Sequence, residues 1–344
     1  MRVLVTGGAG YIGTPLCVRL SQLGHEVVCW DPGFFGYHFG ETPAGLRLVP
    51  KRVQALCAED FQQLRPDWVL HLSGLSNDPM ADFAPRMNWA ENMRATEHVG
   101  ALAEAAGAAL VFASSASVYG FNPELLLDED APVSPIGFYS ESKAAAERWL
   151  LARHSRCYVL RQATVMGRSP RMRFDLLTNG MTLTAWTRRQ IQILYGGREA
   201  RPQIHVEDLV DAYVAILNRD ALAPGVYNVG ATNDNVTELA SVIRERMKSE
   251  HARDVELVVS DEPRKHRSYR LSWSKLAEAS GWTPRRTVAD AVDEICAGLG
   301  DASLSSSDPR TSNIRWMKLL AEAGVILART GPVLAEDDEP SALE

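Results

Sequence analysis

The chain has 344 residues, 46% of them hydrophobic, with 43 acidic against 36 basic side chains and a formal net charge of -7. That length can bury a full core, with room for a nucleotide-binding domain and a smaller second lobe, and the acidic balance argues against nucleic acid or an anionic membrane as partner. The cysteines Cys17, Cys29, Cys57, Cys157 and Cys296 form no C-x-x-C pair, so neither a disulfide framework nor a metal site is expected.

The chain opens directly on an apolar strand, Val3-Leu4-Val5, and no apolar run reaches the roughly 18 residues of a membrane span. A soluble, cytoplasmic protein is expected. After Thr6 the strand breaks into Gly7, Gly10 and Gly13, and apolar residues resume at Leu16, Val18, Leu20 and Leu23 in helical order. This reads as strand, tight turn, helix. Gly7 and Gly10 let the backbone turn and approach a diphosphate, and Gly13 lets the helix pack closely on the strand. Tyr11 and Ile12 complete a turn whose helix N-terminus offers free N–H groups to negative charge. The spacing is G-x-x-G-x-x-G, not the general G-x-G-x-x-G of dinucleotide sites. A second strand, Glu26 to Trp30, ends in Asp31, an acid placed to hold ribose hydroxyls and repel a 2′-phosphate, so NAD is favoured over NADP.

The aromatic loop Pro32-Gly33-Phe34-Phe35-Gly36 is expected near the adenosine. A third strand is expected over residues 53–58, carrying a group to adenine. A fourth, over 68–72, leads into Ser73-Gly74-Leu75-Ser76, small residues where backbone, with Ser73, can approach the cofactor. His71 alternates with apolar neighbours and reads as a core histidine. Residues 85–106 read as a long helix carrying Asn92, and 108–113 as a fifth strand. That strand runs into Ser114-Ser115-Ala116-Ser117-Val118-Tyr119-Gly120, a hydroxyl-bearing loop at the strand end where parallel sheets do chemistry.

Tyr139 and Lys143 share one face of the next helix. A tyrosine with a pKa of about 10 is a poor base at neutral pH, but a neighbouring ammonium and a nicotinamide cation both favour the phenolate. The pair can act as a proton shuttle while the lysine holds ribose hydroxyls. Further on, Pro170, Gly180, Gly196-Gly197 and Pro202 interrupt helical stretches over 177–186, 206–217, 236–250 and 274–280.

Taken together, Thr6 to Gly13, Asp31, Asn92, the Ser114 to Gly120 loop, Tyr139 with Lys143, Leu160 to Gly167, Arg201 to Leu209 and Tyr227 to Gly230 carry a specific resemblance. Over about residues 1–299 the sequence resembles an extended short-chain dehydrogenase/reductase of the NAD-dependent epimerase/dehydratase family, which acts on nucleotide-activated sugars. The resemblance implies an α/β fold, a Rossmann-type doubly wound parallel sheet, with a smaller, mostly α C-terminal substrate lobe. Residues 1–168 would form the NAD-binding domain and 169–299 an interleaved nucleotide-sugar lobe. By composition, 300–310 read as a flexible linker, 311–327 as a helix docking on the body or a partner subunit, and 336–340 as part of an acidic, disordered end.

The resemblance also implies roles. Tyr139 would take a proton from a sugar hydroxyl, Lys143 would set its pKa and bind the nicotinamide ribose, and Ser115 would hydrogen-bond the same sugar oxygen. Ser117 would orient the sugar, and Asn92 would support the active-site loop. Arg201 and Arg267 resemble the arginines that contact the nucleotide diphosphate, and Arg173 and Asn179 are further candidates for the substrate cleft. Family dehydratases carry Asp-Glu after the catalytic Ser/Thr; here Ala116 and Ser117 stand there, so a 4,6-dehydratase is not expected. The usual adenine-contacting Asp-Ile pair is Leu56-Cys57, leaving Glu59 or Asp60 as candidates, and the lysine often found after the fourth strand is Ser76. The leading expectation is an NAD-dependent nucleotide-sugar epimerase, inverting C4, which binds a nucleotide-diphosphate sugar and forms a homodimer. An NAD(P)H-dependent reductase or dehydrogenase of a nucleotide keto-sugar, and a non-catalytic dinucleotide sensor, are the alternatives.

Overall fold

The computed structural model describes residues 1–218, 222–260 and 267–326. Seven parallel strands form its central sheet: β1 (Arg2–Thr6), β2 (Glu26–Trp30), β3 (Leu46–Val49), β4 (Trp68–His71), β5 (Ala109–Ser115), β6 (Cys157–Gln162) and β7 (Gly225–Val229). Their spatial order is β7-β6-β5-β4-β1-β2-β3. The winding therefore reverses between β1 and β4, where Val5 pairs with Cys29 on one side and Leu70 on the other. Such a switch point leaves a crevice at the carboxyl ends of the strands. β1, β4, β5 and β6 are buried on both faces, which explains their near-continuous apolar sequence.

Two apolar layers cover the sheet. Leu16 and Leu20 of the first helix, with Leu209, Tyr213 and Ile216 of Val206–Leu217, pack on one face. Val99, Ala103, Ala146 and Leu150 pack on the other. The helices Ala95–Ala105 and Phe138–Arg153 touch closely at Gly100, where a Cβ would lie 2.6 Å from Leu150 Cδ2 and 2.8 Å from Trp149. Trp149 and Leu150 thus belong to the intrachain core; Leu150 alone contributes about 1.5–3 kcal/mol of burial.

Leu177–Arg188, Val236–His251 and Val288–Gly300 enclose a separate core around Ile191, Ile193, Ile243 and Val292. Capping boxes at Asn235/Glu238 and Thr287/Asp290 start two of these helices. Residues 300–310 run through side-chain-bonded turns, with Ser303 N–H donating to Asp301 and Arg310 N–H to Asp308. The helix Asn313–Glu322 then docks on the body of the same chain through Met317 and Leu320, against Met80, Phe34, Phe35 and Met87.

The third strand is Leu46–Val49, ahead of Pro50, and not the expected 53–58, which holds a short 3₁₀ turn at Val53–Ala55. Leu56 is core, and Cys57 with Asp60 caps the helix Ala58–Leu64, so neither they nor Glu59 line the crevice. Among the described residues no helix is long and apolar enough to cross a membrane. The acidic stretch 336–340, and Arg264, Lys265 and His266, lie outside the described residues.

Candidate active site

One cleft at the switch point is lined by Gly7, Gly10, Tyr11, Ile12, Gly13, Asp31, Ser73, Tyr139, Lys143 and Arg173, among other residues. Gly7 has φ +73°, and a Cβ there would meet the Ser73 backbone nitrogen at 2.6 Å; one on Gly13 would overlap the Gly7 carbonyl. Gly7 and Gly13 therefore have no room for a side chain. The first helix begins with no side-chain cap; Thr14 N–H is taken by the Gly10 carbonyl at 3.0 Å and Pro15 has none, so Gly13 N–H is the donor its first turn leaves at the end of the glycine turn. A glycine cradle ending in an uncapped N–H donor fits a dinucleotide diphosphate.

Asp31 accepts the N–H groups of Gly33 at 2.8 Å and Ala9 at 3.2 Å. Burial pushes its carboxyl up, against the pull of those two donors. Its remaining lone pairs can take ribose hydroxyls. Phe34 and Phe35 line the same end, as the aromatic loop after β2 requires. Tyr11 contributes backbone to the cleft while its buried hydroxyl donates to the Gly167 carbonyl at 2.6 Å.

Asn92 sits in a π-helical turn, Ala90–Arg94, that interrupts the helix begun at Pro85. Such turns re-aim side chains at functional sites. Its Oδ1 accepts from Leu75 N–H at 2.8 Å, and its Nδ2 donates to the Leu75 carbonyl and to Ser142 Oγ. It holds the strand exit from beneath and ties it to the helix that carries Tyr139.

Tyr139 enters that helix just after Gly137, whose φ is +87°. Ser115 closes β5 near the Tyr139 hydroxyl. Burial pushes the phenol up; the Ser115 side chain and the charge of Arg173 pull it down. Lys143 Nζ donates to the Ala113 carbonyl at 2.9 Å and lies 4.7 Å from the Phe112 ring centroid. Burial lowers its pKa to about 8, with Glu147 opposing. An ammonium has three donors, so the others remain for a ligand in the cleft.

Beneath this pair lies a buried network. Arg161 Nη2 and Nε donate to Glu147 at 3.0 and 3.1 Å, Ser114 donates to the same carboxylate, and Arg161 Nη1 reaches Tyr119 Oη at 2.9 Å. It fixes the Ser114 to Tyr119 loop against β6. His71 is the core histidine expected, bonded to Thr6 and Thr96 and held neutral by burial.

Ser117, Arg201 and Arg267 are not among the residues that line this cleft. Ser117 Oγ and Arg201 Nη1 are buried with no hydrogen-bond partner. Arg267 pairs with Asp78 and donates to Ser140 Oγ at 2.7 Å, next to Tyr139. Tyr269 connects the group, since both arginines and Tyr139 act on it or feel its charge. Orphaned buried polar atoms are costly, so this is a place for a polar ligand. Asn179 is set apart: its Oδ1 accepts from Gly167 N–H at 3.0 Å and its Nδ2 donates to Tyr11 Oη and the Arg173 carbonyl. It props the turn from behind.

The sequence reading missed Arg171, Asn313, Met317 and Ile326, all of which line the cleft. The one signal available was the helical spacing beyond residue 311, which says that a face must be covered but not by what.

The family model for the NAD dependent epimerase/dehydratase family matches residues 3–230. UDP-glucuronic acid decarboxylase 1 of Arabidopsis thaliana is 26% identical over 325 residues, 90% of this chain and 72% of that one. UDP-glucose 4-epimerase of Azospirillum brasilense is 32% identical over 240 residues, 63% of this chain and 68% of that one. The solved structure of MoeE5 in complex with UDP-glucuronic acid and NAD superposes with a TM-score of 0.76 at 25% identity, covering 88% of this chain and 100% of its own. A cleft built on the glycine turn and lined by Tyr139 and Lys143, and these matches, lead to one statement: the chain belongs to the NAD dependent epimerase/dehydratase family.

Proposed function

We propose that this enzyme is an NAD-dependent UDP-sugar epimerase that inverts C4. The observation that carries the reading is Tyr139 beside Lys143 in the glycine-turn cleft, with the Ser115 side chain acting on the Tyr139 phenol. Bound NAD supplies a hydride acceptor that afterwards serves as hydride donor. The Gly7 to Gly13 turn and the helix N-terminus hold its diphosphate, Asp31 its adenosine ribose, and Lys143 its nicotinamide ribose. Tyr139 takes the proton of the sugar C4 hydroxyl, with Ser115 bonded to the same oxygen, and returns it once the keto-sugar has presented its other face. Ser117 orients the sugar, and Arg201 and Arg267 meet the nucleotide diphosphate.

Ala116 and Ser117 offer no acid or base for elimination, which favours epimerisation over dehydration. The relatives include UDP-glucuronic acid decarboxylases, so the test must separate the outcomes. UDP-glucose deuterated at C4 and UDP-glucuronic acid are each incubated with the enzyme, no cofactor added, and followed by NMR. Epimerisation keeps the deuterium at C4 of the product; release of carbon dioxide and a UDP-pentose would replace this reading with decarboxylation. A homodimer through Ala95–Ala105 and Phe138–Arg153, the latter bearing Leu151 at 43% exposure, belongs to the same proposal and is checked by its mass in solution.

A further inference from the structure

Arg171 is 4% exposed and lines the cofactor cleft, yet it forms no ion pair among the described residues. Its Nη2 donates to Asn313 Oδ1 at 2.6 Å, its guanidinium carbon lies 3.9 Å from the Phe35 ring centroid, and its Nε has no hydrogen-bond partner. Arg173, two residues on, is by contrast ion-paired with Asp175 through bonds of 2.9 and 3.0 Å. A buried guanidinium with an unmet donor is a costly arrangement unless an anion completes it. Asp31 and Asp175 are near enough to act on Arg171 electrostatically, but burial and the like charge of Arg173 outweigh them and lower its pKa to about 9.

Asn313 is itself fixed. Its N–H donates to Asp175 at 3.0 Å and its Nδ2 to Ser76 Oγ at 3.1 Å, and Ser76 also receives Arg173 Nη1 at 2.7 Å. Ser76 thus joins the 171–173 loop to Asn313 of the helix. The C-terminal helix is held over the cleft by Trp316 Nε1 donating to the Phe34 carbonyl at 2.6 Å, and Met317 and Ile326 extend the wall.

We propose that Arg171 is the side-chain cation for the diphosphate of the bound dinucleotide, and that Asn313 of the C-terminal helix is the residue that positions it. The inference rests on the cofactor site read above but not on the sugar chemistry. Asp31 beside it disfavours a 2′-phosphate, which selects the diphosphate over the other phosphate a dinucleotide could offer.

The test is calorimetric titration of the full-length, nucleotide-stripped protein with ADP and, separately, with adenosine. ADP carries the diphosphate and adenosine does not. Arg171→Gln is expected to weaken ADP at least ten-fold and leave adenosine within two-fold; Asn313→Ala should weaken ADP several-fold with the same selectivity. Wild-type thermal melting in both variants shows that they fold. Equal losses for ADP and adenosine, or ADP affinity unchanged in Arg171→Gln, overturn the proposal while leaving the epimerase reading intact. A wild-type protein that binds neither ligand overturns both. NADP binding as tightly as NAD, with the difference from ADP lost in Arg171→Gln, would reassign Arg171 to the 2′-phosphate.

Discussion

Arg173 is the cation whose charge favours ionisation of Tyr139, while Lys143, four residues along the helix from that tyrosine, is committed to the Ala113 carbonyl at 2.9 Å. Arg173 from the loop and Lys143 from the helix both line the cleft with Tyr139.

Removing the Arg173 charge should raise the pKa of the base. In Arg173→Met combined with Asp175→Asn, which avoids stranding a buried carboxylate, the rising limb of kcat against pH should move up by about one pH unit. An unmoved limb would show that the charge on Lys143 or the cofactor sets the base unaided.

Tyr139→Phe removes the base while keeping the ring. Turnover should fall about 10²–10⁴-fold, and less in Ser115→Ala, which removes a bond to the same oxygen and leaves the base. Both variants should keep the wild-type content of bound NAD, measured after denaturation. Full turnover in Tyr139→Phe would remove this residue from the chemistry.

His71 makes stability sensitive to acid. Its pKa falls from 6.5 to about 3 on burial, so below pH 6.5 the unfolded chain takes up a proton that the folded chain refuses. This group costs nothing well above pH 6.5, and stability is lost progressively as pH drops towards 3, by roughly 2–3 kcal/mol at pH 4.5. His71→Gln, which can still bond Thr6 and Thr96, should flatten the fall in urea-unfolding free energy between pH 6.5 and 4.5. Parallel curves for the two proteins would contradict it.

The Glu147–Arg161 pair is 3% and 6% exposed. Glu147→Gln leaves a buried guanidinium without its counter-charge and should cost about 3–5 kcal/mol, whereas Glu147→Leu with Arg161→Met should recover much of that loss. Thermal melting of the two variants beside the wild type checks the order.

Much of the site was legible because its signals are local. The glycine turn, Asp31 at the end of β2, the hydroxyl loop after β5 and the Tyr139–Lys143 spacing each lie within a few residues and obey one periodicity. β3 was misplaced because Leu46–Val49 is four residues long and follows a loop rich in Gly and Pro, while 53–58 offers a longer, more apolar run. Asn179 has the right residue type at a suggestive place, but its amide is spent on Gly167, Tyr11 and the Arg173 carbonyl, partners that only the fold brings together. Arg171 and Asn313 meet across the width of the cleft from distant parts of the chain, and no spacing rule announces such a contact.

The most direct test of transient hydride transfer is to denature the purified full-length protein, quantify released nicotinamide cofactor, and assay UDP-sugars with none added. The account predicts near-stoichiometric NAD and interconversion of the sugar epimers with no net change in absorbance at the NADH band. Protein that arrives empty and acts only by consuming one added NADH or NADPH per sugar would contradict it and make the enzyme a reductase.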